Sequence, residues 1–193
     1  TELGFLTVSL AGYTNSGKSS LFNALTEDTV EVDNALFTTL STTTRMIEFS
    51  NRKFLITDTV GFIDRLPISL IEAFHSTLEE TIFSDLIIVL LDLNEPLETI
   101  KKKNNVCLET IERLGACAIP TITALNKIDK LTEEESMQKL EELKDEVKNP
   151  ILVSAKCQTN LDALRKQILR ILENYQQAQF SVPLTGKAMP FIS

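Results

Sequence analysis

The octet Gly12-Tyr13-Thr14-Asn15-Ser16-Gly17-Lys18-Ser19 constrains this chain more than any other stretch. It fits G-x-x-x-x-G-K-[ST] at every fixed position, and the pattern has a physical reason. Glycines at both ends let the backbone curl until successive N–H groups point at one phosphate, and a helix that follows adds the positive end of its dipole. The flanking residues supply that setting. Phe5 to Ala11 is a short, largely apolar run expected to be a buried strand, and Leu21, Phe22 and Leu25 recur at helical spacing after the loop. Gly12, Tyr13, Thr14, Asn15, Ser16, Gly17, Lys18, Ser19 and Ser20 are therefore the expected phosphate cradle. Within it Lys18 reaches the outer phosphates and the Ser19 hydroxyl binds a magnesium ion.

From Glu27 to Thr44 the chain is polar and aperiodic, and a loop of that length is usually functional or mobile. A threonine there can close over a third phosphate and give its hydroxyl to magnesium. Thr39 is the first choice and Thr38 the second, whereas Thr42 to Thr44 fit the start of a strand. Met46–Ser50 and Lys53–Thr57 are expected as an antiparallel pair across the Ser50-Asn51-Arg52 turn. The second strand runs into Asp58-Thr59-Val60-Gly61. Asp58 is placed to hold magnesium through a water molecule, and the Gly61 N–H to sense the terminal phosphate. Beyond a loop broken by Pro67, Ile71, Phe74, Leu78 and Ile82 mark one face of a helix. His75, the only histidine, falls on its other side and is expected to be a solvated surface residue rather than a catalytic base.

Asp85 to Asp92 is almost wholly apolar between its acidic ends, as a central parallel strand covered on both faces should be. A helix from Leu97 to Leu114 follows and stops at Gly115; its Lys101-Lys102-Lys103 run is a solvated face or a contact for an anionic partner. The next strand, Ile119 to Leu125, leads into Asn126-Lys127-Ile128-Asp129. A carboxylate at Asp129 can accept from the ring N1–H and the exocyclic amine of guanine. Adenine offers neither donor there and would leave the carboxylate unpaired. Asn126 is expected to tie neighbouring loops together, and the Lys127 stem to pack over the base. Thr132 to Val147 reads as an acidic amphipathic helix with Met137, Leu140, Leu143 and Val147 inward, and Thr132 with Glu135 resembles a capping box. A short strand, Ile151 to Val153, leads to Ser154-Ala155-Lys156, whose backbone N–H groups can meet the guanine carbonyl. The last helix, Leu161 to about Tyr175, buries Leu164, Ile168, Ile171 and Leu172, and beyond Gln176 the chain turns polar.

Strand and helix alternate, so the expected class is α/β: a mostly parallel six-stranded sheet covered on both faces, with one antiparallel edge strand. Four loops, opening at Gly12, Asp58, Asn126 and Ser154, then meet beyond the carboxyl ends of the strands, where such sheets bind ligands. With 193 residues, 43% hydrophobic and 24% charged, the chain suits one domain, expected over residues 1–177, with residues 178–193 as a tail or linker remnant. The first strand begins within a few residues of the start, which fits a domain excised from a longer protein. A net charge of −8 argues against holding nucleic acid through charge alone, and no sequence-specific DNA binding is expected. No apolar run is of bilayer length and no secretory pattern opens the chain, so no membrane contact is expected. Cys107, Cys117 and Cys157 lack metal-site spacing and are expected as buried, reduced thiols of a cytoplasmic protein.

These motifs resemble the guanine-nucleotide-binding domain of the translation-factor-related GTPases, and within them the HflX family. Besides the loop and Asp58-Thr59-Val60-Gly61-Phe62-Ile63, the resemblance is carried by Phe37-Thr38-Thr39-Leu40 with Thr43-Thr44-Arg45. Leu66-Pro67, Ala73-Phe74 and Ser76-Thr77-Leu78-Glu79-Glu80 carry it furthest, because generic small GTPases lack them. Two departures are visible: Ser16 where the family tends to have alanine, and Ser41-Thr42 where it often has Asp-Pro. The resemblance implies a three-layer P-loop NTPase fold of the Ras-like kind. It also implies association with the large ribosomal subunit in ribosome splitting or rescue, through an N-terminal domain absent from this sequence.

The reaction expected from these residues is GTP plus water giving GDP and phosphate with magnesium, using Lys18, Thr39 and Gly61. Phe62 stands where many small GTPases carry a water-orienting glutamine, so turnover in isolation should be slow. A group supplied by a partner can then matter by roughly 10³–10⁵ in rate. Related GTPases with asparagine at the place of Asn15 use it to help bind potassium, so K+ is a second candidate cofactor. The alternative is a non-catalytic switch that binds GDP and GTP and reshapes residues 28–45 and 59–70. An ATP-dependent enzyme is disfavoured by Asp129.

Overall fold

The computed structural model describes residues 5–26, 43–58 and 84–180. Its strands are β1 (Leu6–Gly12), β2 (Thr43–Phe49), β3 (Arg52–Asp58), β4 (Leu86–Asp92), β5 (Thr121–Asn126) and β6 (Pro150–Leu152). They form one six-stranded sheet in the order β2-β3-β1-β4-β5-β6, parallel except where β2 runs against β3. The helices among the described residues are α1 (Lys18–Thr26), α2 (Leu97–Arg113), α3 (Glu133–Leu143) and α4 (Leu161–Phe180). The class and strand arrangement are those the sequence led us to expect.

The layers follow from the period-two alternation of β4. Leu86, Ile88 and Leu90 face one side and pack with Leu21, Phe22 and Leu25 of α1 and Leu164, Ile168 and Leu172 of α4. Ile87, Val89 and Leu91 face the other side, against Ile100, Cys107 and Ile111 of α2 and Leu143 of α3. Every one of these β4 side chains is at most 1% exposed. Each contributes about 1.5–3 kcal/mol by burial, which makes β4 the spine of the molecule.

Local chemistry sets the ends of the elements. Ser50 and Asn51 both have positive φ (53° and 58°), the geometry of a two-residue hairpin turn whose twist matches its strands. After α2, Gly115 takes φ 74° while its N–H donates to Glu112 and that of Ala116 to Ile111, so two terminal carbonyls are satisfied. Thr132 and Glu135 form the expected capping box at α3.

Several expectations are corrected. α3 ends at Leu143 rather than Val147; the chain leaves the helix in turns ahead of Pro150, yet Val147 is still buried by them. Met137 is 53% exposed: the inner face runs through Ser136, Leu140 and Leu143, and Met137 lies about 100° around the helix from Ser136. α4 continues past Tyr175 to Phe180. Of the cysteines, all free, only Cys107 is buried. Burial pushes its thiol up to about 12, whereas Cys117 and Cys157 lie on exposed turns. Among the described residues no helix is long and apolar enough to cross a membrane.

Candidate functional site

Three of the expected loops open directly at the carboxyl ends of β1, β3 and β5, and the fourth opens just beyond β6. The first leaves β1 at Gly12, which has φ 147°. A β-carbon there would stand 2.6 Å from the Leu90 carbonyl of the adjacent strand, so only glycine lets the loop rise this close to β4. Gly17, at φ 99°, is held as tightly: a β-carbon would lie 2.2 Å from Asn126 Nδ2. Between them Asn15 adopts φ 63°. Lys18, 8% exposed, turns its ammonium back over the loop and donates to the Gly12 and Tyr13 carbonyls, both at 2.9 Å. Thr14, Asn15, Ser19 and Ser20 are exposed and Tyr13 is half-buried. Ser16 is buried, and its hydroxyl has no hydrogen-bond partner among the described residues.

Asp58 ends β3 beside this loop, and Ser19 Oγ donates to its Oδ2 at 3.2 Å. The other carboxylate oxygen is buried without a partner among the described residues. Burial pushes the Asp58 carboxyl above its ordinary range, against the smaller opposing pulls of the Ser19 hydroxyl and the Lys18 charge. A hydroxyl and a carboxylate side by side, one oxygen still to be satisfied, form a donor set suited to a hard divalent cation.

Asn126 joins three loops. Its Nδ2 donates to the Ser16 carbonyl at 2.9 Å, and its Oδ1 accepts from the Ala155 N–H at 3.0 Å. The tying role expected of this residue is what the structure displays. Lys127, in left-handed backbone at φ 71°, donates to the Asn15 carbonyl at 2.5 Å and to Asp92 Oδ2 at 2.7 Å. Asp129 is exposed, and Ser154 Oγ donates to its Oδ1 at 2.5 Å. The same Ser154 oxygen accepts from the Cys157 N–H at 3.1 Å, so a fully buried serine sets the direction of an exposed carboxylate. Lys156 is exposed at the rim.

The structure thus gathers Gly12 to Ser20, Asp58, Asn126, Lys127, Asp129 and Ser154 to Lys156 at one edge of the sheet. Thr38, Thr39, Gly61, Phe62 and His75 lie outside the described residues, as do Ser41-Thr42, the 62–80 signature and the tail from residue 181. Asp92 was missed by sequence reasoning. Part of the signal was available: like Asp58 it is a carboxylate closing a strand, but it lacks the glycine three residues on that marked Asp58.

Residues 7–127 match a family model described as 50S ribosome-binding GTPase. A GTPase HflX of Methanocaldococcus jannaschii is 51% identical over 168 residues, covering 87% of this chain and 42% of that protein. One from Thermococcus kodakarensis is 43% identical over 178 residues, covering 87% and 40%. The chain therefore spans about two fifths of the length of these curated relatives. Among solved structures, a GTP-binding protein from Sulfolobus solfataricus in complex with GDP superposes with a TM-score of 0.69 at 30% identity. That match covers 88% of this chain and 53% of the other.

Proposed function

We propose that this chain, which belongs to the 50S ribosome-binding GTPase family as an HflX-type G domain, binds GTP at the edge just described and hydrolyses it to GDP and phosphate. The observation that carries the reading is the Asn126 amide, which spans from the phosphate loop at Ser16 to the loop at Ala155 and so makes one site of separate motifs.

Each residue then has a stated task. Backbone N–H groups from Tyr13 to Ser20 hold the phosphates, and the Lys18 ammonium, held over the Gly12 and Tyr13 carbonyls, reaches the outer ones. Ser19 and Asp58, with Thr39, would hold Mg2+, which when bound offsets phosphate charge and orients the terminal group. Asp129, aimed by Ser154, reads the two guanine donors, the Ala155 N–H meets the carbonyl, and Lys127 covers the ring. Gly61 senses the terminal phosphate. With Phe62 where a water-orienting side chain would stand, turnover is slow until a partner completes the site, and Asn15 makes K+ a candidate for part of that role. The family description, 50S ribosome-binding GTPase, supports the large ribosomal subunit as that partner, and work on ribosomes in the cytoplasm is part of the same proposal.

The test is phosphate release from GTP by the purified chain, with and without large ribosomal subunits, in potassium and in sodium, with ATP as competitor. Slow turnover that ATP does not compete away supports the reading, and acceleration by subunits supports the partner. Equal competition by ATP would overturn the guanine assignment. Guanine-nucleotide binding with no release over hours would leave the chain a switch rather than an enzyme.

A further inference from the structure

Asp92 closes β4 directly opposite Asn126 in the β4–β5 register, at a place none of the four motifs covers. Its side chain is 14% exposed and both oxygens are engaged. Oδ2 accepts from Lys127 Nζ at 2.7 Å and Oδ1 from the Asn94 N–H at 3.0 Å. The same ammonium donates to the Asn15 carbonyl, so Lys127 is strung between a carboxylate on β4 and the turn of the phosphate loop.

The segment carrying Asp92 is itself held from several sides. The Leu93 N–H donates to the Asn126 carbonyl at 2.9 Å. Lys139 of α3 donates to the carbonyls of Leu93 and Glu95, each at 2.8 Å. Lys103 of α2 pairs with Glu95 Oε1 at 2.6 Å while lying 5.2 Å from the centre of the Tyr13 ring. Lysines from three elements therefore converge on residues 92–95, an arrangement that fixes where the Asp92 carboxylate stands. A lysine stem left to itself samples many rotamers; one tied at its head to two fixed oxygens does not.

We infer that Asp92 is a positioning residue for nucleotide retention, acting through Lys127: it fixes the lysine, and with it the Asn15 turn, in the geometry that holds a bound guanine nucleotide. The inference rests on the guanine-nucleotide reading proposed above. It also separates two jobs on one loop. Asp129 reads the donors of the guanine edge, so its loss distinguishes bases with and without the exocyclic amine. Lys127 covers the ring whatever its substituents, so loss of its anchor weakens all 6-oxopurine nucleotides alike.

The experiment uses the full chain and fluorescent GDP and inosine diphosphate, with release rates measured by stopped flow. The proteins are wild type, Asp92→Ala, Asp92→Asn, Lys127→Ala and the Asp92→Ala/Lys127→Ala double variant. Asp92→Asn keeps an oxygen for the Asn94 N–H and removes only the charge, so it retains the fold if the alanine variant does not. Losing a charge-assisted hydrogen bond should speed GDP release roughly 10- to 100-fold in Asp92→Ala. The ratio of GDP to inosine diphosphate release stays unchanged, Asp92→Asn falls between, and the double variant is no faster than Lys127→Ala. Wild-type release rates in both Asp92 variants would overturn the inference, as would effects of Asp92 and Lys127 that multiply or a changed base ratio. Failure of wild type to retain GDP would instead bring down the site reading itself, visible before any variant is compared.

Discussion

Gly17→Ala tests whether the phosphate loop and the base-reading loop share one close fit. Two costs can be worked out. The first is conformational: alanine at φ 99° is strained by about 1–2 kcal/mol. The second is steric, because the new methyl would sit 2.2 Å from Asn126 Nδ2 and the amide must leave. When it leaves, the bonds to the Ser16 carbonyl and from the Ala155 N–H both break in a buried setting, about 1–2 kcal/mol each. The total is about 3–6 kcal/mol, a large share of the roughly 5–15 kcal/mol that holds a domain together. Asn126→Ala alone forfeits the two bonds, about 2–4 kcal/mol, and removes the obstacle. In that background Gly17→Ala should cost only its strain, about 1–2 kcal/mol. The double variant is then destabilised by about 2–4 kcal/mol less than the sum of the singles. Urea unfolding of the four nucleotide-free proteins, followed by far-UV circular dichroism with m-values compared, measures this directly. Additivity within about 0.5 kcal/mol would refute the reasoning, since it would mean that Asn126 is not what Gly17 makes room for.

Two further outcomes follow from single groups. The Asp58 carboxyl is pushed above its ordinary 3.8, so the native state binds that proton more tightly than the unfolded chain. Its contribution to stability is then full below 3.8 and is lost as pH rises through the elevated native value, and Asp58→Asn should flatten this part of the stability curve in magnesium-free buffer. A steeper curve in the variant would contradict the direction of the shift. Ser16→Ala removes a buried hydroxyl with no partner among the described residues and should stabilise the chain by about 1 kcal/mol, or roughly 2–4 °C in melting temperature; a lower melting temperature would show that the hydroxyl is satisfied.

Much of the fold was legible because its signals are local or periodic. The apolar run of β4 demanded cover on both faces, and the spacing of Leu164, Ile168 and Leu172 gave α4 its inner side. The misreadings share a cause. A helical period does not fix its own phase or length when apolar residues are sparse, so Met137 was drawn inward and Val147 into α3, though only Leu140 and Leu143 hold that helix to the core. Polar residues past Gln176 suggested an end, yet a helix already docked through Leu161, Leu164, Ile168 and Leu172 continues to Phe180. Burial of a small thiol is decided by the turn that carries it, which is why Cys117 and Cys157 escaped a composition-based reading.

The site was legible to a different depth. Each motif could be placed because a strand precedes it, and strand ends in a parallel sheet share an edge. The bonds between motifs could not, because they join residues 110 apart from Ser16 to Asn126 and 39 apart from Ser19 to Asp58. Only the strand order turns those separations into contact. Asp92 shows where the reading could have gone further. β1 sits between β3 and β4, and β5 lies next to β4, so a carboxylate ending β4 must come up between the phosphate loop and Asn126-Lys127. A lysine on either side would find it. The carboxylate at the end of an otherwise apolar strand is therefore a site signal without any motif, provided the strand order is known, and its partner is to be sought on the neighbouring strand's loop.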